Sequence, residues 1–153
     1  MKKMTTTAPG LVMASDALLE ESLRCLRAHL HPEWGDRTPL DVFNRLLAKH
    51  TRPSGWTTNT HFDINADEIR SRRERWTTET LGKLVRGHNA TDGQDFGCPI
   101  IIAEYGGVQR VLDGNHRSNR WVAAGDTRVH DVNIHTVSDA GAFIELPAVA
   151  QGA

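Results

Sequence analysis

At 153 residues, with 18 basic and 19 acidic side chains and a formal net charge of −1, the chain has room for one compact domain with one real core. It carries no overall field of the kind that marks a nucleic-acid or membrane-surface binder. No apolar run approaches the roughly 18 residues of a membrane span, and the start "MKKMTTTAPG" has two lysines but no apolar stretch behind them, which is not a signal-peptide pattern.

The expectation is therefore a cytoplasmic protein with no membrane partner. Cys25 and Cys98 lie 73 positions apart. That is neither a zinc spacing nor a disulfide framework, so two buried free thiols in a reducing compartment are expected.

Residues 1–55 read as a helical extension. Leu19, Leu23, Leu26 and Leu30 share one helical face, and Pro32 closes the segment. In "TPLDVFNRLLAKH", Thr38 is placed as N-cap, Pro39 takes the first helical position and Asp41 sits where a capping-box acid belongs. Val42, Phe43, Leu46 and Leu47 supply the buried face, and "TRPSG" breaks the helix.

From Trp56 the period changes. Thr60, Phe62 and Ile64 alternate with Asn59, His61 and Asp63, the signature of a strand buried on one face. Asn65, with Glu68 three residues on, caps a short helical turn. The arginine-rich stretch "IRSRRERW" reads as a loop in which Arg70, Arg72, Arg73 and Arg75 surround Glu74. A helix follows from about Thr78 to Arg86, with Leu81, Leu84 and Val85 inward and Gly87 as its stop. "HNATDGQDFG" is a polar loop. Two apolar runs separated by Gly106 and Gly107 make a hairpin. The second run ends at Asp113 and Gly114, where a helix begins with Ser118, Trp121 and Val122 inward and Gly125 as its stop. "RVHDVNIHTV" closes as a strand. His29 with His31, and His130 with His135, have no convincing ligand geometry and read as surface or satisfied interior residues.

The stretch "VLDGNHRSNRW" at residues 111–121 concentrates the chemistry. Glycine lets a ligand approach the backbone, and the first helical turn presents N–H groups with no acceptor inside the helix. An anion suits those donors, and His116 and Arg117 could add charge-assisted hydrogen bonds to a phosphate. In the alternative reading, Asp113 and Asn115 simply cap the helix and Arg117 is solvated. Asp113 is also a candidate magnesium ligand, because that ion needs few protein ligands when phosphates supply the rest.

Residues from roughly 60 to 137 resemble the core of the ParB/sulfiredoxin superfamily. The likeness is carried by "PIII" at 99–102, the hairpin, "VLDGNHR" at 111–117, a helix ending in glycine and a closing strand. It implies an α+β fold, a small mixed β-sheet with packed helices, in which residues 56–137 form a nucleotide-binding core. Residues 138–153 would be a tail packed on or trailing that core. It also implies that Gly114, Asn115, His116 and Arg117 contact the phosphates of a nucleoside di- or triphosphate.

Departures from the family pattern separate its branches. Sulfiredoxins have a reactive cysteine immediately before the histidine, where this chain has Asn115, so sulfinic acid repair is not expected. The chromosome-partitioning branch has "GERR" at the corner and a DNA-reading helical domain afterwards. This chain has "GNHR", and about 16 residues follow the last strand, too few for such a domain.

The free serine kinase branch fits the layout best, with a catalytic glutamate in the loop after the first strand, the place of Glu74. The expectation is an enzyme that uses a nucleotide and magnesium for phosphoryl transfer to, or activation of, a small molecule. Glu74, Asp113 and His116 would be its catalytic residues, and Arg72, Arg73 and Arg120 further phosphate or substrate contacts. A solvated ion-pair cluster is the alternative for Glu74 and its arginines. The alternative function is a nucleotide-dependent DNA-binding or nuclease-like module using the arginine stretch. One patch is small for duplex DNA, where binders usually neutralise about six or more phosphates. The oligomeric state is left open.

Overall fold

A computed structural model of the chain describes residues 14–28, 37–52, 55–84, 97–138 and 141–145. The expected positions of Leu30, Pro32, Val85, Arg86 and Gly87, and most of the loop "HNATDGQDFG", lie outside the described residues.

The fold is α+β. Helix α1 (Ser15–Ala28) and helix α2 (Pro39–Thr51) come first, then strand β1 (Thr60–Asp63), a 3-10 turn (Ala66–Glu68), strand β2 (Ile69–Thr77) and helix α3 (Thr78–Gly82). Strands β3 (Ile100–Tyr105) and β4 (Val108–Asp113), helix α4 (Asn115–Ala123), and strands β5 (Val129–Val137) and β6 (Gly141–Ile144) complete it. Four strands form one sheet in the order β2-β5-β3-β4, and β1 pairs with β6 in a separate two-stranded sheet. In the larger sheet β3 runs parallel to β5 and antiparallel to β4, while β2 is antiparallel to β5. A tail strand, β6, is thus part of the sheet structure. It is held to the α2 side by Glu145, which pairs with Arg45 and, at 2.9 Å, with Arg37.

Local chemistry sets the element ends much as expected. The Thr38 side chain accepts from the Asp41 N–H with Pro39 at the helix start, and Thr77 accepts from the Thr80 N–H at the start of α3. Glu68 reaches back to accept from the Asn65 N–H at 2.8 Å. Gly106 and Gly107 take φ of 63° and 79° in the β3–β4 turn, a geometry that favours residues without a Cβ.

The larger sheet is covered on both faces. Leu19 and Leu26 of α1, Phe43 and Leu47 of α2, and Phe62 and Ile64 pack on Ile101, Ala103, Leu112 and Val137. On the other face Leu81, with Trp76, Leu84 and Trp121, packs on Ile100, Ile102, Val111, Val132 and Ile134. The central strands β3 and β5 are therefore buried on both sides and lack simple alternation.

The α1 side also contains a polar seam. The Ser22 hydroxyl lies 2.7 Å from His135 Nε2 and accepts from Asn133, and Ser71 Oγ lies 2.6 Å from His135 Nδ1. Burial pushes the His135 pKa down to about 4.

Four expectations are corrected. The arginine-rich stretch is not a loop but the nine-residue strand β2, paired along its whole length with β5. It lies at a sheet edge, where charged side chains are tolerated and their aliphatic stems can lie along the sheet. Helix α3 ends at Gly82 rather than near Arg86. Val122 is 45% exposed rather than inward. Cys25 and Cys98 are not free thiols: they form a disulfide with Cα atoms 6.1 Å apart. Spacing could not reveal this, because the pairing is made by α1 folding back over the segment that enters β3. The free-thiol argument for a reducing compartment falls with it. No described helix is long and apolar enough to cross a membrane.

Candidate functional site

The candidate site is the corner where β4 hands over to α4. Asp113 ends β4 opposite Ile101, next to a register shift between Ile101 and Ile102. Gly114 then takes φ 112° and ψ 7°, and the first helical hydrogen bond runs from the Ser118 N–H to the Gly114 carbonyl at 2.9 Å. A Cβ on Gly114 would lie 2.5 Å from Ile100 Cδ1 and 3.2 Å from Arg117 Nη2. Backbone conformation and the floor beneath it both require glycine here. Unlike α2 and α3, α4 therefore begins with no side-chain cap.

Arg117 is 4% exposed. Its Nη1 donates to the Cys98 carbonyl at 2.6 Å and its Nη2 to the Pro99 carbonyl at 3.3 Å. The Asp113 carboxylate lies 4.0 Å from the same guanidinium. Arg117 thus braces the corner from beneath. His116 is exposed on the first turn, while Asn115 and Arg120 are half-buried. Asp113 is the carboxylate at the corner, with 22% of its side chain exposed. Among the described residues, Ser118 Oγ and Asn119 Nδ2 are buried without a hydrogen-bond partner. The sequence places Ser118 inward, but nothing in its spacing marks an unsatisfied hydroxyl.

Glu74 is not at this corner. It sits on β2 at one edge of the sheet, whereas Gly114 follows β4 at the other. Three strand spacings separate them, about 14 Å. Its carboxylate accepts from Arg72 Nε and from Trp76 Nε1, each at 2.8 Å.

The arginines likewise do not form one patch, because strand alternation sends them to opposite faces. Arg72 forks onto Glu104 at 2.9 and 3.2 Å. That guanidinium, together with hydrogen bonds from Thr136 and Gln109, holds the Glu104 pKa down to about 2, and the Arg72 pKa is raised in turn by the hydrogen bond to Glu104. Arg73 faces α1, where it pairs with Glu21 and donates to Asn133 Oδ1 at 2.8 Å. Arg75 lies 3.5 Å from Asp131.

His130 and His135 are satisfied interior residues. His130 stacks on Trp121 at 3.9 Å between ring centroids and meets Thr78 Oγ1 at 2.9 Å. An open cleft lined by Leu84, Glu104, Gly106, Gly107, Gln109 and Thr136 surrounds the hairpin turn, at the opposite end of β3 and β4 from the corner. Its acid, Glu104, is already engaged. No protein-family model, curated protein or solved structure matches this chain.

Proposed function

We propose that the chain is a nucleotide-binding domain of the ParB/sulfiredoxin kind, in which the β4–α4 corner takes the phosphates of a nucleoside di- or triphosphate. The observation that carries this reading is the start of α4: a helix of nine residues that opens on a required glycine without a side-chain cap. Its first-turn N–H groups and the positive end of its dipole suit an anion. The buried, unpartnered Ser118 and Asn119 atoms on the same helix supply further polar capacity, and the likeness of residues 60–137 to that superfamily supports the same ligand class.

In this reading His116 meets phosphate from the exposed side, and Arg117 acts through position, holding the corner from below. Asp113 is the group that would share magnesium with the phosphates. That ion would neutralise phosphate charge; the chain's part is to orient the carboxylate, which the neighbouring Arg117 does.

The binding role is favoured over phosphoryl transfer because Glu74 lies across the sheet and is held by Arg72 and Trp76. A general base must come within about 3 Å of its proton, directly or through one water. The DNA-binding alternative loses its main feature, since the arginines divide between two faces and Arg72, Arg73 and Arg75 are ion-paired.

The test is a thermal-shift screen against ATP, ADP, CTP and GTP, with and without magnesium, followed by calorimetry and a turnover assay. Saturable binding without turnover is the expected result. Absence of binding by every nucleotide would overturn the reading.

A further inference from the structure

We propose that the Cys25–Cys98 disulfide is a redox switch for the β4–α4 corner, with the oxidised protein holding the corner in its ligand-ready form. This regulation rests on the phosphate reading of the corner given above.

One residue makes the link. The sulfur of Cys98 is bonded to Cys25 of α1, while its carbonyl accepts from Arg117, in the first turn of α4, at 2.6 Å. Pro99, the next residue, accepts from the same guanidinium. That guanidinium lies directly under Gly114. A buried cation depends on the dipoles and charge around it, and it cannot stay in place if its acceptors move away. The disulfide therefore pins the acceptors, the acceptors pin Arg117, and Arg117 fixes the turn at Gly114.

The remaining contacts make the effect local. Helix α1 also holds the sheet through Leu19 and Leu26, through Ser22 with His135 and Asn133, and through Ser15, which accepts from the Ser71 N–H. None of these needs the disulfide. Reduction should release the segment entering β3 without detaching α1.

Cys98 is the more accessible of the pair, half-buried where Cys25 is 5% exposed. A dithiol reductant would attack Cys98 as thiolate, forming a mixed disulfide and expelling Cys25 as thiolate, which takes up a proton. The second thiol of the reductant then closes its own disulfide and releases Cys98 as a thiol. The protein gains two electrons and two protons, and the dithiol loses the same.

The experiment compares air-oxidised and dithiothreitol-reduced full-length protein. It uses thiol titration, circular dichroism, hydrogen exchange over residues 97–101 and 113–120, and calorimetry with ATP and with inorganic pyrophosphate. The oxidised form should titrate no thiol and the reduced form both. Secondary structure should persist, while exchange over 113–120 accelerates and ligand affinity falls about tenfold or more. Cys98→Ser should behave as the reduced form even under oxidant.

Free thiols in the oxidised protein, equal exchange in the two states, binding of a probe with equal affinity by both states, or melting of the whole chain on reduction would each overturn the switch. If neither form binds either probe but exchange at the corner still responds to reduction, the phosphate reading fails while disulfide control of the corner is supported.

Discussion

The Arg117 guanidinium and the Cys98 carbonyl, 19 positions apart in the chain, meet at 2.6 Å beneath the turn at Gly114. This contact changes what the arginine is for. A guanidinium aimed at solvent or at a ligand can be removed without cost to the fold, but a buried one that satisfies the main-chain carbonyls of Cys98 and Pro99 cannot. Arg117→Ala is expected to lower stability by about 2–4 kcal/mol, because it leaves those acceptors unpaired in the interior. Urea unfolding monitored by circular dichroism measures this. A variant as stable as the parent would show that Arg117 does not brace the corner.

Gly114→Ala probes the same corner from the backbone. The new methyl would meet Ile100 Cδ1 at 2.5 Å in a conformation with φ 112°, so strain and overpacking add. A loss of about 2–4 kcal/mol is expected, visible as a lower melting temperature. Gly107→Ala, also at positive φ but with nothing within 4 Å of the added atom, should cost less. Equal losses would mean that the floor under Gly114 yields easily.

Stability should depend on pH through His135. Burial holds its folded-state pKa near 4, against about 6.5 in an unfolded chain. Between those values the unfolded state binds the extra proton, so stability rises with pH across the window and is lost as pH falls through it. The full effect is on the order of 3 kcal/mol. His61 and His130 are also lowered, chiefly by burial, and act in the same direction.

Glu104 extends the loss to lower pH. Its folded pKa of about 2 means that its contribution is present above roughly pH 4.5 and disappears as pH falls toward 2. Urea midpoints measured from pH 7 to pH 3 should therefore decline continuously, and His135→Gln should flatten the upper part of the curve. A profile with no slope between pH 6.5 and 4 would contradict the neutral, buried state of His135.

Glu74→Gln distinguishes a strand-edge ion pair from a catalytic base. Removing the charge weakens the contact with Arg72, and a loss of about 1 kcal/mol or less is expected for so exposed an arginine. Nucleotide affinity should not change, nor should any turnover. Lost turnover with intact binding would restore Glu74 as a catalytic residue.

Much of the local structure is legible in the residues themselves. Thr38 with Pro39, Asn65 with Glu68, the Gly106–Gly107 turn and the glycine at 114 each act over a few positions, and their chemistry is the same in a short segment as in the fold. The α+β character follows from the same periodicities. The β4–α4 corner could be singled out in this way because strand, glycine and helix start are consecutive.

Tertiary structure alone decided four things. It made Ile69–Thr77 a strand, because pairing with β5 and ion pairing by Arg72, Arg73 and Arg75 outweigh a composition that reads as loop. It turned Arg117 inward, since its acceptors come from a segment that reaches the corner only when β3 lies beside β4. It brought Cys25 to Cys98 and moved Glu74 away from Gly114. Each of these depends on contacts between residues distant in sequence, and such contacts form only when helices and strands pack together to bury apolar surface. A periodicity of two or 3.6 residues determines which face a side chain occupies, but not what waits on the other side of it.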